Sequence, residues 1–235
     1  MSTEPPLKEL ALHDVTVRFG GLTALDNVSL RVAPGRIVGV IGPNGAGKTT
    51  LFNIICGFVQ PTSGSLTLGG QPWRPRPHHL NRLGIARTLQ GVGQFAGMTV
   101  LENVMVGARH RRAEAEALAA LDRCGVARYA AAHPGALPYA IRKRIELARA
   151  LVAKPQILML DEPAGGLDAE EIGWLGTLIR EAGTTVLLVE HHMDLVMSVC
   201  DEILVLDFGK SIALGTPAEI SENPKVTEAY LGAAA

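Results

Sequence analysis

The 235-residue sequence has few cysteines, few aromatic residues and no excess of charge of either sign. The three cysteines, Cys56, Cys124 and Cys200, lie far apart and form no CxxC pair or metal-ligand spacing, so they predict buried thiols in a reducing compartment. Lys and Arg total 22 against 23 Asp and Glu, which leaves no basic excess for binding nucleic acid. We therefore expect no nucleic-acid partner.

Long apolar runs are also missing. No segment approaches the roughly 20 apolar residues of a membrane-spanning helix. The first ten residues contain two prolines and two glutamates and do not resemble a signal peptide. The sequence predicts a soluble, cytoplasmic chain, which at a membrane would be peripheral on the inner face and held there by other subunits.

Hydrophobic residues nonetheless make up 47% of the chain, enough for a sizeable core. Leu10–Arg18 alternates apolar with polar residues, as in a strand at a sheet edge, and Val28–Val32 repeats the alternation. Gly64–Leu68 predicts another strand, which ends in the turn Gly69-Gly70, whereas the Pro- and His-rich Gln71–His79 predicts a surface loop. Wholly apolar runs, typical of strands buried on both faces, lie at Ile37–Ile41, Ile157–Leu160, Val186–Val189 and Ile203–Leu206.

Helical patterns lie between these strands. Ala113–Leu121 is rich in alanine and glutamate, which favour helix, and Arg142–Val152 places its apolar residues on one face. Further helices are predicted from about Lys48 to Cys56, from Ala169 to Arg180 and from Thr216 onward. This order of elements predicts a parallel-sheet core with an antiparallel β lobe and a helical lobe.

A glycine-rich loop follows the apolar run Ile37–Ile41 and opens a predicted helix. It fits the pattern GxxxxGK[ST] in full and in the strand-loop-helix context that the motif requires. Backbone N–H groups of such a loop surround phosphates, Lys48 reaches the β and γ phosphates, and the Thr49 hydroxyl binds Mg²⁺. The predicted ATP-binding residues are Gly42, Pro43, Asn44, Gly45, Ala46, Gly47, Lys48, Thr49 and Thr50.

Two carboxylates follow the apolar run Ile157–Leu160. Ligands of open α/β sheets lie at the carboxyl ends of strands, so Asp161 is predicted to hold Mg²⁺. Glu162 is the candidate general base for the water that attacks the γ-phosphate. A strand ending in Asp-Glu could also be the start of a solvated loop, but its combination with the phosphate loop favours the catalytic interpretation.

With these two motifs in place, the sequence resembles the ATP-binding cassette (ABC) ATPases over nearly its whole length. Gln90 matches the Q-loop glutamine, which touches Mg²⁺ or the attacking water and senses the membrane subunits. His191 matches the switch histidine, which contacts the γ-phosphate. Alternatively, Gln90 could be an ordinary loop glutamine and His191 an ordinary surface histidine. We expect the neighbouring His192 to be a surface residue.

Two further matches leave alternatives open. Asp168 matches the D-loop aspartate, yet Asp168–Glu171 also fits a capping box, and both roles can hold together. Phe19 matches the aromatic residue that stacks on adenine, although a lone aromatic after a strand could equally belong to the core. Asp207–Gly209 spells the kinase DFG triplet, which we discard because no HRD-type loop precedes it and Gly209 predicts a hairpin turn.

The resemblance implies an α/β P-loop NTPase fold with a RecA-like parallel-sheet core, an antiparallel β subdomain and a helical subdomain. Residues 1–235 would form a single ABC ATPase domain. Within it, residues 1–90 comprise the β lobe and the first part of the core, and 91–152 comprise the helical lobe with the signature segment. Residues 153–235 comprise the remainder of the core and the C-terminal helix.

One subfamily is more similar than the rest, the LivG-type ATPases of branched-chain amino acid importers. The resemblance implies hydrolysis of ATP with Mg²⁺, coupled to solute import. It also implies a second, non-identical ABC ATPase subunit, two transmembrane permease subunits and, indirectly, a periplasmic or surface solute-binding protein. Importers of urea and short amides, and an ATP-clamped non-transport module with weak hydrolysis, remain alternatives. The similar stretches are Arg82–Gln90, Met98–Val104, Glu190–Met197 and Asn223–Gly232.

The family's LSGGQ signature, often LSYG in this subfamily, is altered here to Leu137–Ile141, which reads LPYAI. Pro138 replaces a serine and so lacks its hydroxyl and its backbone N–H. Ala140 replaces a glycine, so a positive φ there would be strained. In the family this segment binds the partner's γ-phosphate. Either Tyr139 and the helix dipole suffice, or the half-site is impaired and the chain works in a heterodimer with unequal ATP sites.

Overall fold

The computed structural model describes residues 7–88, 91, 93–108 and 113–232, which form two sheets and a set of helices. The strands are β1 (Leu10–Phe19), β2 (Leu22–Val32), β3 (Ile37–Ile41), β4 (Ser63–Leu68), β5 (Gln71–Trp73), β6 (Ile85–Arg87), β7 (Ile157–Asp161), β8 (Thr185–Val189), β9 (Glu202–Asp207) and β10 (Lys210–Gly215). The α-helices are α1 (Lys48–Ile55), α2 (Val100–Met105), α3 (Ala113–Arg123), α4 (Tyr139–Leu151), α5 (Ala169–Arg180), α6 (Met193–Val199), α7 (Pro217–Ser221) and α8 (Pro224–Gly232).

The larger sheet has the strand order β10-β9-β3-β8-β7-β6, and all of its strands are parallel except β10, which pairs with β9 as a hairpin. Its central strands are buried on both faces. Leu158 and Leu160 of β7 face a core shared with α2 to α6, whereas Ile157 and Met159 face a core shared with α1 and the smaller sheet. This double burial is why these strands are apolar along nearly their whole length.

The smaller sheet is antiparallel, with the order β2-β1-β4-β5. The expectation that Leu10–Arg18 forms an edge strand is wrong, because β1 pairs with β2 on one side and with β4 on the other. Alternation of apolar and polar residues reports one solvated face, which a central strand of an antiparallel sheet can also have.

Two other elements differ from the sequence-based expectation. Gln71–His79 is not simply a loop, since Gln71–Trp73 pairs with β4 as an edge strand and Pro77–His79 forms a 3₁₀ turn. Pro72 is tolerated because an edge strand needs hydrogen bonds on one side only. Helix α4 begins at Tyr139, three residues before the predicted Arg142. The segments predicted as wholly apolar strands and the helix after the phosphate loop are confirmed.

The described residues of 91–152 contain α2, α3 and α4, while the stretches on either side supply the strands of the parallel sheet. The division at residues 91 and 153 itself stays a prediction. Cys56, Cys124 and Cys200 are free and buried, as expected. Among the described residues, no helix combines the length and the apolar character needed to cross a membrane.

Candidate functional site

The carboxyl ends of β3, β7 and β8 meet at one edge of the parallel sheet. Val40 of β3 and Asp161 of β7 both pair with Val189 of β8, so the three strands end in register. The phosphate loop follows β3, the carboxylates Asp161 and Glu162 end β7, and the loop of His191 follows β8. Strand order therefore brings together motifs that lie far apart in the sequence.

The phosphate loop has a backbone that only glycine adopts without strain. Gly42, Gly45 and Gly47 have φ values of 151°, 81° and 103°. A Cβ on Gly47 would lie 2.6 Å from the carbonyl oxygen of Ala24, and one on Gly42 would collide with the carbonyl oxygen of Leu206. The glycines therefore provide both the left-handed turns and the close approach of neighbouring backbone.

Lys48 is buried at the start of α1, and its ammonium group points back into the loop. Its Nζ donates to the carbonyl oxygens of Gly42 at 2.6 Å and Pro43 at 2.9 Å. Burial lowers the pKa of Lys48, an effect that the negative charges of Glu162 and Asp161 oppose. Because phosphate oxygens carry charge and carbonyls do not, a bound phosphate would be the stronger acceptor for this ammonium group.

A cavity beside the phosphate loop is lined by many of the predicted site residues. Phe19 is 49% exposed and lines the cavity, so the core alternative for Phe19 is wrong, and adenine stacking stays a prediction. Glu162 lines the same space. Sequence reasoning missed Phe208, a second aromatic there, which lies 85% exposed in the β9–β10 turn. The full lining is Phe19, Leu22, Thr23, Ala24, Asn44, Gly45, Ala46, Gly47, Lys48, Thr49, Thr50, Glu162 and Phe208.

Asp161 is held by a buried ion pair that the sequence did not reveal. Arg87 Nη2 lies 2.7 Å from Asp161 Oδ2, and the two side chains are only 10% and 5% exposed. The other guanidinium arm donates to Asn53 Oδ1 at 2.9 Å, which ties Asp161 to α1. The Thr49 hydroxyl and the Asp161 carboxylate are oxygen donors of the kind that Mg²⁺ prefers, so the residues present fit this ion.

Glu162 lies at a strained turn just past β7. Its φ of 48° is left-handed, which is uncommon for a residue with a Cβ. Its backbone N–H donates to Val189 O at 2.9 Å, and its carbonyl oxygen accepts from the buried Lys143 Nζ at 3.2 Å. Both contacts hold the backbone of Glu162 where its side chain can line the cavity.

His191 lies next to a carboxylate that sequence reasoning treated only as a family mark. Its side chain is 55% exposed, whereas that of Glu190 is 0% exposed. Glu190 Oε2 accepts from the backbone N–H groups of His191 at 2.7 Å and His192 at 3.1 Å. The signal available in the sequence was a carboxylate directly following a buried strand. His191 is not among the residues that line the described cavity.

Asp168 and Glu171 form the predicted capping box at the start of α5. Asp168 Oδ1 accepts from the N–H of Glu171 at 2.9 Å, and Glu171 Oε2 accepts from the N–H of Asp168 at 3.0 Å. The capping role is confirmed, and the family's D-loop role stays a prediction. Gln90 lies outside the described residues.

The altered signature segment forms the start of α4. Pro138 occupies the N-cap position with φ −53° and makes no side-chain cap bond to the described residues. Ala140 lies within the helix and is not among the described residues with positive φ, so the conformation that would be strained there does not occur. The ring of Tyr139 packs against Gly166, where an added Cβ would lie 2.9 Å from it.

Comparison with known families agrees with this geometry. A family model described as ABC transporter matches residues 25–165, which include the phosphate loop, both carboxylates and the signature segment. The chain belongs to the ABC transporter family. A second model, described as branched-chain amino acid ATP-binding cassette transporter, matches residues 210–235 of this ABC protein.

Curated relatives match this ABC protein along nearly their whole length. The LivG high-affinity branched-chain amino acid transport ATP-binding protein of Salmonella typhimurium is 45% identical over 96% of this chain and 98% of its own. LivG of Escherichia coli K12 is 44% identical with the same coverage. BraF of Pseudomonas aeruginosa is 43% identical, also over 96% and 98%. The resemblance to LivG-type proteins is therefore confirmed.

Solved structures confirm the predicted fold class. The ADP conformation of an ATP-binding cassette of an ABC transporter superposes with a TM-score of 0.88 at 29% identity, covering 96% of this chain and 99% of that one. A nucleotide-free cassette gives a TM-score of 0.88 at 28% identity, covering 95% and 98%.

Proposed function

We propose that this ABC protein is the ATP-hydrolysing subunit of an importer of branched-chain amino acids. The observation that carries the proposal is the 45% identity with a LivG protein across 96% of the chain, joined to a complete phosphate loop and carboxylate pair. The match of residues 210–235 to a branched-chain amino acid transporter model supports the same solute class. Importers of urea and short amides remain the alternative on the solute.

The residues of the strand ends supply the proposed chemistry. The N–H groups of the phosphate loop and Lys48 bind the β and γ phosphates. Phe19 stacks on the adenine, and Glu162 accepts a proton from the attacking water. His191 contacts the γ-phosphate, Gln90 orients the water, and Asp168 acts across the subunit interface.

Thr49 and Asp161, together with Gln90, would hold Mg²⁺. When bound, the ion neutralises charge on the phosphates. Arg87 keeps the Asp161 carboxylate in its place at the end of β7 through the buried ion pair. The chain itself therefore provides the oxygen ligands and the support behind them.

An apolar groove lies between the loop after α1, the segment 77–87 and the carboxyl-terminal ends of α2 and α4, and we assign it to a permease segment. Its exposed residues include Phe58, Phe95 and Val106, which are 62%, 49% and 52% exposed. Contiguous exposed apolar groups are typical of protein interfaces. Binding of permease segments in this groove would hold the chain at the inner face of the membrane, as part of a transporter with two permease subunits. Crosslinks from this groove to a permease loop are expected, and crosslinks from α8 alone would contradict the assignment.

The altered signature supports a second, non-identical ATPase as partner. This chain's own nucleotide-facing residues are complete, so one composite site can be fast if the partner supplies a normal signature. The other site depends on Pro138, which offers neither a hydroxyl nor an N–H. The same feature favours the competing idea of an ATP clamp with weak hydrolysis, and steady-state turnover separates the two.

The test of the chemistry is Glu162→Gln. It removes only the base, so ATP binding should persist, turnover should fall by at least about a hundredfold, and the closed dimer should accumulate. Glu170→Gln, an exposed carboxylate in the first turn of α5, is the matched control and should hydrolyse ATP normally. Retained turnover in Glu162→Gln would show that Glu162 is not the base. Uptake of labelled leucine against urea by the assembled transporter tests the solute.

A further inference from the structure

Glu190 is a fully buried carboxylate that connects two loops of the site. The residue is 1% exposed. Its Oε1 accepts from the N–H of Ala164 at 2.7 Å, in the loop after β7. Its Oε2 accepts from the N–H groups of His191 and His192, in the loop after β8. One side chain therefore binds three backbone donors from two loops.

A carboxylate this deeply buried is tolerated only when hydrogen bonds replace its hydration. Bonds from N–H groups to a charged oxygen are roughly twice as strong as neutral ones. Three such bonds from one rigid residue fix the backbone positions of all three donors. The buried carboxylate of Glu190 therefore serves to hold the loops after β7 and β8 in place.

The loop after β7 is the one that carries Glu162. The N–H of Glu162 is bonded to Val189 O at 2.9 Å, and two residues later Ala164 is bonded to Glu190. The left-handed turn at Glu162 is therefore bonded to Val189, the last residue of β8, at its start and to Glu190, the next residue, at its end. The backbone of His191 is bonded to the same carboxylate, so the loop that carries Glu162 and the loop that carries His191 share one anchor.

We propose that Glu190 is a positioning residue that fixes the backbone of Glu162 and the backbone of His191 relative to each other. The proposal rests on the proposed function, because it takes Glu162 as the base and His191 as the γ-phosphate contact. Misplacing a catalytic group by about 1 Å can cost on the order of a hundredfold in rate. Glu190 acts through these two residues and touches no phosphate itself.

A metal site is the competing interpretation of this cluster. Ligand atoms of Glu190, His191 and His192 lie within 4.8 Å of one another. However, both oxygens of Glu190 already accept backbone N–H groups, and the side chain is enclosed. The hydrogen-bonded arrangement therefore favours positioning over metal binding.

The test uses Glu190→Gln in the full chain. Glutamine keeps the shape, but its NH₂ group cannot accept a hydrogen bond, so at least one backbone donor is left without its partner. Turnover should fall by about ten- to a hundredfold, while ATP affinity should stay within about twofold because the phosphate loop is untouched. Thr184→Val is the matched control. It removes another buried hydrogen bond, Thr184 Oγ1 to Pro155 O at 2.6 Å, just before β8 begins, and should keep both turnover and affinity.

A double mutant separates positioning from general stability. If Glu190 acts through His191 and Glu162, Glu190→Gln should cost less in a His191→Ala background than in the wild type, because the part of the loss that passes through His191 is already present. Three results would each overturn the proposal. The turnover losses of Glu190→Gln and His191→Ala could multiply in the double variant, Thr184→Val could lose as much turnover as Glu190→Gln, or Glu190→Gln could keep the turnover of the wild type. If Glu190→Gln does not fold, Glu190→Asp keeps the charge with a shorter reach and undergoes the same comparison. Absence of ATP turnover in the wild type would instead contradict the proposed function.

Discussion

The helices α1, α4 and α6 begin without a side-chain capping bond, whereas α2, α5 and α7 begin with complete capping boxes. A helix start leaves backbone N–H groups without intrahelical partners, and a capping box satisfies two donors there. In α1 and α4 these donors stay available for an anion. Capping boxes therefore stabilise α2, α5 and α7, whereas α1, after the phosphate loop, and α4, at the altered signature segment, have no side-chain cap.

The starts of α1 and α4 differ in the backbone that leads into them. The loop before α1 has glycines with positive φ at Gly42, Gly45 and Gly47. The start of α4 has the extended Pro138 followed by ordinary helix. The start of α1 therefore depends on glycines that adopt a positive φ, while the start of α4 depends on which residue occupies the N-cap position. Substitutions on the two sides should accordingly have very different costs.

The largest loss of stability is expected at the buried ion pair between Arg87 and Asp161, which connects the end of β7 to α1. Arg87→Met would leave Asp161 buried without its partner, and breaking such a pair costs about 3–5 kcal/mol. Chemical denaturation with global fitting would measure this loss. Adding Asp161→Asn should recover part of it, because the uncompensated charge is removed. A loss below 1 kcal/mol for Arg87→Met would mean that the pair behaves like an exposed one.

The next effect concerns the glycine geometry before α1. Gly47→Ala adds a Cβ that meets Ala24 O at 2.6 Å, at a φ of 103°. We expect a cost of about 3 kcal/mol, seen as a loss of ATP-analogue affinity of about a hundredfold in calorimetry. Gly45→Ala is the control, since its φ is 81° but no atom lies within 4 Å of the added Cβ. Equal losses in both variants would show that strain, not collision, decides.

A third effect concerns the cap of α4. Pro138→Ser restores the hydroxyl and the N–H, and one preorganised donor to a developing charge is worth about ten- to a thousandfold in rate. The chain alone should therefore hydrolyse ATP about tenfold faster as Pro138→Ser. Pro138→Ala returns the N–H without the hydroxyl and should gain less. Equal rates for all three proteins would show that the change is harmless and would remove the argument for unequal sites.

Much of the parallel sheet could be predicted from the sequence because its strands are buried on both faces. Ile157–Asp161 and Thr185–Val189 are wholly apolar until their last or first residue, and the phosphate loop marks the end of β3. The order of β1 in its sheet could not be predicted, because alternation reports burial and not neighbours. The three-residue strand β6 is too short for any periodicity to indicate it.

The site was predicted where a motif carries its own geometry and missed where contacts cross between elements. The residues Asn44–Thr50 follow from one local pattern. Arg87 and Glu190 act through ion pairs and hydrogen bonds to segments far away in sequence, as with Arg87 and Asp161. Phe208 was discarded with the kinase triplet, and only the hairpin that places it beside the phosphate loop reveals it.

The smallest effect is expected at Ala140. Sequence comparison treats this position as a lost glycine, but in the structure it lies in the first turn of α4 with no left-handed backbone. Ala140→Gly would therefore relieve no strain, and it would cost helix stability by about 0.5–1 kcal/mol because glycine loses more backbone entropy than alanine. Thermal unfolding should show a small decrease, and ATP turnover should not rise above that of the wild type. Combined with Pro138→Ser, it should add nothing to the rate gained from the serine. A clear rise in turnover from Ala140→Gly alone would mean that the ATP-bound dimer uses a left-handed conformation at residue 140 that this structure does not have. The starts of α1 and α4 would then be alike in needing glycine, and the comparison between them would lose its main distinction.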